Sequence, residues 1–448
     1  MTVKVRFAPS PTGRIHVGNV RTALMNFLFA KSQGGQFVLR IDDTDLERST
    51  KAYEDGIKAD LEWLGLNWDE TFNQSSRFDQ YEAAKQRLIE AGLLYPCYET
   101  GDELERKRKL QRAQGKPPVY DRGALNLTDA DRAKLEAEGR KPHWRFKLSG
   151  GRIAWDDLVR GPSRIETSSV SDPILVREDG SYLYTLPSVV DDIDAGITDI
   201  IRGEDHVTNS AAQIEIFEAL GGRNAAPRMG HHPLLVGPDG GKLSKRLGAL
   251  SIEGLREEEG IEPMAILSLL AKIGTSDSVE ARDSLETLIA EFDLAKLSRN
   301  PARFDPAELT RLNARLLQAT PFEAVADRLK AMGVDGDAAF WEAVRPNLER
   351  LSNAREWWRL VEGPVEPDVE DADYLAKAAE LLPGGTLTAD SWREWTGAIK
   401  AETGRKGREL FQPLRMALTG QRHGPEMDVL LSLMDRNKVE ARLKGERA

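Results

Sequence analysis

Close to its N-terminus the chain changes hydrophobic period within a few residues, and that change restricts its fold more than any other feature. Val3-Lys4-Val5-Arg6-Phe7-Ala8 alternates with period two, as a strand does. Val20, Ala23, Leu24, Phe27 and Leu28 then recur at the spacing of a half-buried helix. Gly34-Gly35 ends that helix, and Phe37-Val38-Leu39-Arg40-Ile41 reads as a second strand. A β-α-β unit with connections this short predicts parallel strands and a doubly wound α/β domain. Between strand and helix stands Pro9-Ser10-Pro11-Thr12-Gly13-Arg14-Ile15-His16-Val17-Gly18-Asn19. A helix start after a parallel strand exposes unpaired N–H groups and a positive dipole end, and so suits phosphate. Gly18 bares backbone there. His16 can donate to an α-phosphate or to departing pyrophosphate, and Asn19 adds a neutral donor.

A second signature follows much later. Pro238-Asp239-Gly240-Gly241 is a tight turn with little side chain, and it leads into Lys242-Leu243-Ser244-Lys245-Arg246. A glycine-hinged loop bearing point charges can close over a triphosphate. Alone, the first signature reads as a turn histidine and the second as a solvated basic tip. Together, in this order, they resemble the HIGH and KMSKS elements of class I aminoacyl-tRNA synthetases. That resemblance implies adenylate transfer, with His16, Lys242 and Lys245 as catalytic groups and ATP and Mg2+ as cofactors.

The rest of the chain sets bounds on this reading. Its 448 residues are enough for three to four domains. A net charge of −11 leaves room for local basic faces but not for a histone-like binder. No apolar run is long enough for a membrane span, and Met1-Thr2-Val3-Lys4-Val5 has no signal core, so a cytoplasmic location is expected. Cys97 is the only cysteine, which excludes an intrachain disulfide and a cysteine-cluster zinc site. No heptad seam is seen, and a monomer is expected.

Helices are predicted at about 50–64 and 78–92. Residues 100–185 change character to an α+β insertion, with seven Lys or Arg in Leu104–Arg122. Strands are predicted at Trp144–Leu148, Ile153–Trp155 and Ile174–Val176, and a hairpin turn at Asp179-Gly180. From 182 to 236 the pattern returns to α/β, with strands at Leu186–Val190 and Ile197–Ile201 and a helix over Asn209–Leu220. Beyond about 305 the strand signals vanish and the chain reads as all-helical.

Two arginines suggest the substrate. Arg6 lies on the first strand, and Arg202 closes another in Ile201-Arg202-Gly203-Glu204-Asp205-His206. Two guanidinium groups facing one pocket suit a compound with two carboxylates, and Tyr184 can add a phenolic donor. Asp42-Asp43 with Asp45 can bind an ammonium group, hold a hydrated metal or cap the next helix. Asp191, Asp192 and Asp194 look like a metal-binding cluster, but capping of the turn after a strand is the favoured reading.

With these residues in hand, the chain resembles the bacterial glutamyl-tRNA synthetase family over nearly its whole length. The specific stretches are Arg6–Asn19, Arg40–Asp45, Gly115–Asp121, Val189–His206, Lys242–Arg246 and Gln412–Gly420. The resemblance implies a Rossmann-like catalytic domain in two halves, 1–96 and 186–236. It also implies an acceptor-end-binding insertion at 97–185, a KMSKS-bearing stem-contact domain at 237–304 and an all-helical anticodon-binding domain at 305–448. It places ATP against His16, Gly18, Asn19, Glu204, Asp205, Leu235 and Lys245. L-glutamate falls to Arg6, Ala8, Ser10, Asp42, Tyr184, Ser188 and Arg202. Contacts to tRNA(Glu) are expected from Arg108, Lys116, Arg345, Arg350 and Arg408. Asp42 departs from the family's usual Glu and Ser188 from its common Asn. Cys97 has no cysteine companions, so no metal site and no zinc are expected. Three alternatives stay open or are weighed down: a relaxed form that also charges tRNA(Gln), a short paralogue without an anticodon domain, and a catalytically silent tRNA-binding protein. The helical residues after 305 count against the second, and the intact His16, Lys242 and Lys245 against the third.

Overall fold

The computed structural model describes residues 2–241, 243 and 250–448. They form two compact units, Met1–Glu258 with Ile266–Asp305, and Glu259–Ala265 with Pro306–Ala448.

The first unit begins as the period change predicts. Strand β1 (Lys4–Phe7) leads into helix α1 (Val17–Ser32) and strand β2 (Gln36–Ile41). Helix α2 (Lys51–Trp63), strand β3 (Glu70–Asn73) and helix α3 (Phe78–Glu90) follow. β1 pairs parallel with β2, and β2 with β3. α1 is buried more completely than a half-buried helix, because Arg21, Met25 and Asn26 are enclosed along with its apolar stripe. Met25 packs against Ile201, Leu294 and Leu297, so α1 is covered on more than its sheet-facing side.

The insertion holds β4 (Leu94–Cys97), α4 (Gly101–Ala113), α5 (Asp129–Ala137), β5 (His143–Phe146), β6 (Arg152–Asp157), β7 (Gly161–Glu166) and β8 (Ile174–Val176). β4, β5 and β8 make an antiparallel sheet, and β6 and β7 a hairpin. The turn at Asp179-Gly180 is present, with Gly180 at a φ of 85° where glycine carries no steric cost. One expectation fails: Leu186–Val190 is not a strand but part of helix α6 (Thr185–Asp194). Pro187 sits in its first turn, where no N–H is needed, and Leu186, Val189 and Val190 are buried together at i, i+3 and i+4.

The α/β layer then resumes with β9 (Asp199–Gly203), α7 (Val207–Gly221) and β10 (Arg228–His232), with β9 and β10 parallel. Thr198 at the foot of β9 donates its N–H to Lys4 O at 2.9 Å, which sets β9 beside β1. Strand carboxyl ends therefore collect on one side, where ligands bind in open α/β sheets.

The second unit is helical throughout its residues after 305, from Pro306–Ala319 to Arg436–Leu443. Its core includes the fully buried Trp341 and Trp395, whose indole N–H groups donate to Thr320 O and Ala378 O, both at 2.8 Å. No helix among the described residues is long and apolar enough to cross a membrane.

Candidate active site

The carboxyl ends of β1, β2 and β9 and the start of α1 surround one cleft of about 830 Å3. Arg6, Ala8, Ser10, Asp42, Tyr184 and Arg202 line it, as do His16, Gly18, Asn19, Asp205 and Leu235. Two residues named from the sequence stand elsewhere. Ser188 is fully buried, and its Oγ accepts from Arg40 Nη2 at 3.0 Å. Glu204 pairs with Arg160 at 2.8 Å. Lys242 and Lys245, with Ser244 and Arg246, lie outside the described residues. Leu235 and Val236, which precede them in the chain, line the cleft. Leu243 lines it, and Ile252 N–H donates to Ile15 O at 3.2 Å.

His16 is the N-cap of α1. Its Nδ1 accepts the Gly18 N–H at 3.1 Å, and its own backbone N–H donates to Asn19 Oδ1 at 3.1 Å. Desolvation lowers the imidazole below its ordinary value, so the ring is neutral at pH 7. With Nδ1 accepting, the proton resides on Nε2, which is therefore a donor. Gly18 has a sharper reason than bare backbone: a Cβ there would stand 2.9 Å from His16 Cε1. Any larger residue would displace the ring.

The arginines differ in their partners. Arg6 Nε donates to Asp192 at 3.1 Å. Arg40 binds Asp42 through Nε at 2.6 Å and Asp192 through Nη1 at 2.8 Å. Burial pushes the Asp42 carboxyl up to about 6, against the pull of Arg40, so it is ionised at neutral pH. Asp191 accepts from Arg77 Nε at 2.7 Å, Tyr81 at 2.9 Å and Gln74 at 2.8 Å. Asp191, Asp192 and Asp194 thus form neither a metal cluster nor a cap; they lie on α6 as counter-ions to Arg6, Arg40 and Arg77. The cap of α2 is Thr50 rather than Asp45, with its hydroxyl accepting from Tyr53 N–H at 3.2 Å.

Arg202 is different. Its contacts are Tyr184 Oη at 3.3 Å, Ser210 Oγ at 2.6 Å and His231 Nε2 at 3.3 Å. Among the described residues no carboxylate lies within ion-pair distance of it. Burial, helped by the Arg6 charge, lowers its guanidinium against the opposing pull of Tyr184 and of the more distant Asp192 carboxylate. The effect shows at Tyr184: burial would raise its phenol, but Arg202, Arg6 and Arg40 bring it below the ordinary value. The cleft thus holds a buried cation with no carboxylate in contact with it among the described residues.

The structure also supplies what sequence reading passed over. Arg40 had no assigned role, although a charge inside an otherwise apolar strand run is a visible anomaly. Cys97 is not alone: Cys97, Glu99 and His143 bring ligand-type atoms within 4.8 Å of one another. β4 and β5 place Cys97 directly opposite His143. Burial pushes the Cys97 thiol up to about 12 and, with Arg145, the His143 ring down to about 4. The proposed tRNA contacts are spread widely. Arg108 pairs with Glu105 at 3.3 Å, Arg345 with Glu342 at 2.5 Å and Arg350 with Glu259 at 2.5 Å. Lys116 and Arg408 are exposed.

The comparisons with known proteins agree with this cleft and give its class, the class I aminoacyl-tRNA synthetases. Residues 2–311 match the family described as tRNA synthetases class I (E and Q), catalytic domain, and residues 317–446 match the anticodon binding domain family. The chain is 66% identical over 445 residues to glutamate–tRNA ligase 1 of Maricaulis maris, covering 99% of this chain and 100% of that one. It is 62% identical to glutamate–tRNA ligase 2 of Hyphomonas neptunium, covering 98% and 99%. Among solved structures it is similar to a glutamate tRNA ligase from Elizabethkingia meningosepticum in complex with its amino acid. That likeness has a TM-score of 0.83 at 28% identity and covers 99% of this chain and 98% of that one. The chain belongs to the glutamate–tRNA ligase family.

Proposed function

We propose that this chain condenses L-glutamate with ATP to glutamyl-adenylate and pyrophosphate, then passes the glutamyl group to the 3′ end of tRNA(Glu). The observation that carries the substrate is Arg202, a buried guanidinium without a carboxylate partner, in the same cleft as the start of α1. Arg202, with Arg6 and Tyr184, receives the substrate side-chain carboxylate. That leaves the α-carboxylate to face the nucleotide. One of its oxygens attacks the α-phosphorus, and the bond to the bridging oxygen breaks as pyrophosphate leaves with the electron pair.

The work in such a step is positioning and charge stabilisation. His16 Nε2–H and the N–H groups at the α1 start donate to the phosphates as charge builds. Leu235 backbone and Asp205 hold the nucleoside side. Magnesium, when bound with the ATP phosphates, would supply neutralisation of their charge. Of the two carboxylates lining the cleft, Asp42 is taken by Arg40, so Asp205 would be the one available to help hold the ion. Lys242 and Lys245 close on the leaving pyrophosphate. Residues 97–185, 237–304 and 305–448 receive the acceptor end, the stem and the anticodon of the tRNA, and the enzyme acts as a monomer.

The test is transfer of radiolabelled glutamate, with ATP, onto purified tRNAs. Acid-stable label on tRNA(Glu) is expected; none on any tRNA refutes the reading. Label on tRNA(Gln) as well identifies the relaxed form.

A further inference from the structure

Behind Arg202 runs a chain of buried groups that the adenylation chemistry does not use. Asp157 closes β6, His231 lies on β10 and Ser210 on α7. Asp157, His231 and Ser210 are 4%, 1% and 0% exposed, so solvent cannot mediate between them. Asp157 accepts from His231 Nδ1. Its Oδ1 also accepts the backbone N–H groups of Val159, Arg160 and His231 at 3.0–3.1 Å, and its Oδ2 the Trp155 indole N–H at 3.2 Å. His231 Nε2 faces Ser210 Oγ at 2.8 Å and Arg202 Nε at 3.3 Å. Ser210 Oγ in turn lies 2.6 Å from Arg202 Nη2 and 3.2 Å from His206 O.

The connectivity of Ser, His and Asp invites comparison with a nucleophilic triad, but the hydroxyl is buried and already accepts from a guanidinium. What the geometry does determine is the place of a proton. Every Arg202 nitrogen can only donate. His231 Nε2 must therefore be a lone pair, and the ring proton sits on Nδ1, where Asp157 accepts it. Burial opposes ionisation of Asp157, yet the bonds from His231 and from backbone N–H groups outweigh it and hold the carboxyl well below the usual range. Asp157 thus sets the tautomer in which Nε2 accepts.

We propose that Asp157, His231 and Ser210 are positioning residues that fix the Arg202 guanidinium through neutral acceptors, so that its charge stays free for the carboxylate of an acidic side chain. The contrast lies in the same unit. Arg6 and Arg40 are held by Asp42 and Asp192, and a guanidinium so paired has part of its field cancelled. A carboxylate in place of Ser210 would do the same to Arg202 and leave the site less able to tell glutamate from its neutral isostere glutamine. This inference rests on the reading of Arg202 as the side-chain anchor.

Asp157→Asn tests it in the full-length enzyme. The amide oxygen is drawn to the three backbone N–H groups on the Oδ1 side, which turns the NH2 toward His231. The imidazole must then accept at Nδ1 and carry its proton on Nε2, against the Arg202 N–H groups. In protein labelled with 15N-histidine, the wild-type Nε2 of His231 is expected to show the shift of an unprotonated nitrogen, and Asp157→Asn to reverse the two ring shifts. The chain has six histidines, and His231→Gln assigns the signal. In ATP–pyrophosphate exchange with tRNA(Glu) present, Asp157→Asn should raise KM for glutamate about 10- to 100-fold, the loss expected for a hydrogen bond to a charged group. KM for ATP should stay within about twofold. Ser210→Ala, which removes one acceptor and spares the tautomer, should raise KM for glutamate about 3- to 10-fold, and it carries the kinetic test if Asp157→Asn does not fold. Ser210→Asp should narrow the preference for glutamate over glutamine. A proton on Nε2 in the wild type overturns the proposal, as does an unchanged KM for glutamate in Ser210→Ala. Arg202→Lys, measured alongside, separates the two layers: if it leaves KM for glutamate unmoved, the anchor reading has failed, whatever the tautomer shows.

Discussion

The two units of this chain both bury arginine, to different ends. In the catalytic unit Arg6 and Arg202 line a cleft, and Arg40 is buried against Asp42, which also lines it; Arg6 and Arg40 meet carboxylates and Arg202 meets neutral groups. In the helical unit Arg442 is fully buried and donates to Leu360 O at 2.6 Å, Leu418 O at 2.9 Å and Ala448 O at 2.9 Å. Leu360 and Leu418 stand in the last turns of Ala354–Glu362 and Arg408–Thr419, where carbonyls have no partner within their helix. Arg442 therefore completes the backbone, whereas Arg202 spends its donors on neutral side chains at the cleft. A buried cation that closes helix-end carbonyls away from any cleft is a structural device; one held by neutral side chains at a cleft is placed to take an anionic ligand.

The comparison breaks most readily at Arg202. Arg202→Ala should lower kcat/KM for glutamate roughly 1,000-fold or more, about 4 kcal/mol or above, because a carboxylate would then be desolvated without a partner. KM for ATP should move less than about threefold. Equal losses for both substrates would reassign the residue to folding. Asp192→Ala should act mainly on stability. It strips a shared counter-ion from Arg6 and Arg40, at a cost of about 3–4 kcal/mol for an uncompensated buried charge. Urea unfolding of the first unit reads that loss, and an unchanged midpoint would mean that water replaces the carboxylate.

Arg442→Met sharpens the other side. It leaves two buried carbonyls unpaired, each worth about 1–3 kcal/mol, and so should destabilise the helical unit by about 2–6 kcal/mol. At temperatures where that unit stays folded, KM for glutamate should be unaltered. A change in KM would mean that buried arginines in the two units are not separable by role.

These differences were only partly legible in the sequence. The strand, turn and helix around His16 could be read because the period changes from two to that of a helix within one short segment. Arg6 and Arg202 could be read because each sits at a strand end. α6 could not: Leu186-Pro187-Ser188-Val189-Val190 is a short apolar run that suits a strand or a buried helix equally, and only packing decides. Asp157 and His231 are 74 residues apart, and nothing local marks either as the partner of Arg202. Cys97 and His143 are joined only by the register of β4 with β5. Charge networks depend on contacts distant in sequence, and hydrophobic period does not encode them.

The smallest expected effect concerns the surface, where the contrast between satisfied and unsatisfied arginines returns in weaker form. Arg350 is already paired with Glu259 at 2.5 Å, whereas Arg408 is exposed at the first residue of its helix, and among the described residues no carboxylate pairs with it. A surface cation that binds a phosphate releases counter-ions, so each such contact steepens the salt dependence of RNA affinity by somewhat under one unit. Arg408→Ala should raise Kd for tRNA(Glu) only a few-fold at low salt and reduce the log–log salt slope by about 0.7–0.9. Arg350→Ala should change the slope less, because its charge is already balanced by Glu259. If Arg350→Ala flattens the slope more than Arg408→Ala, then Arg350 leaves Glu259 for the RNA, and an ion pair within the free protein does not predict which cations the tRNA recruits.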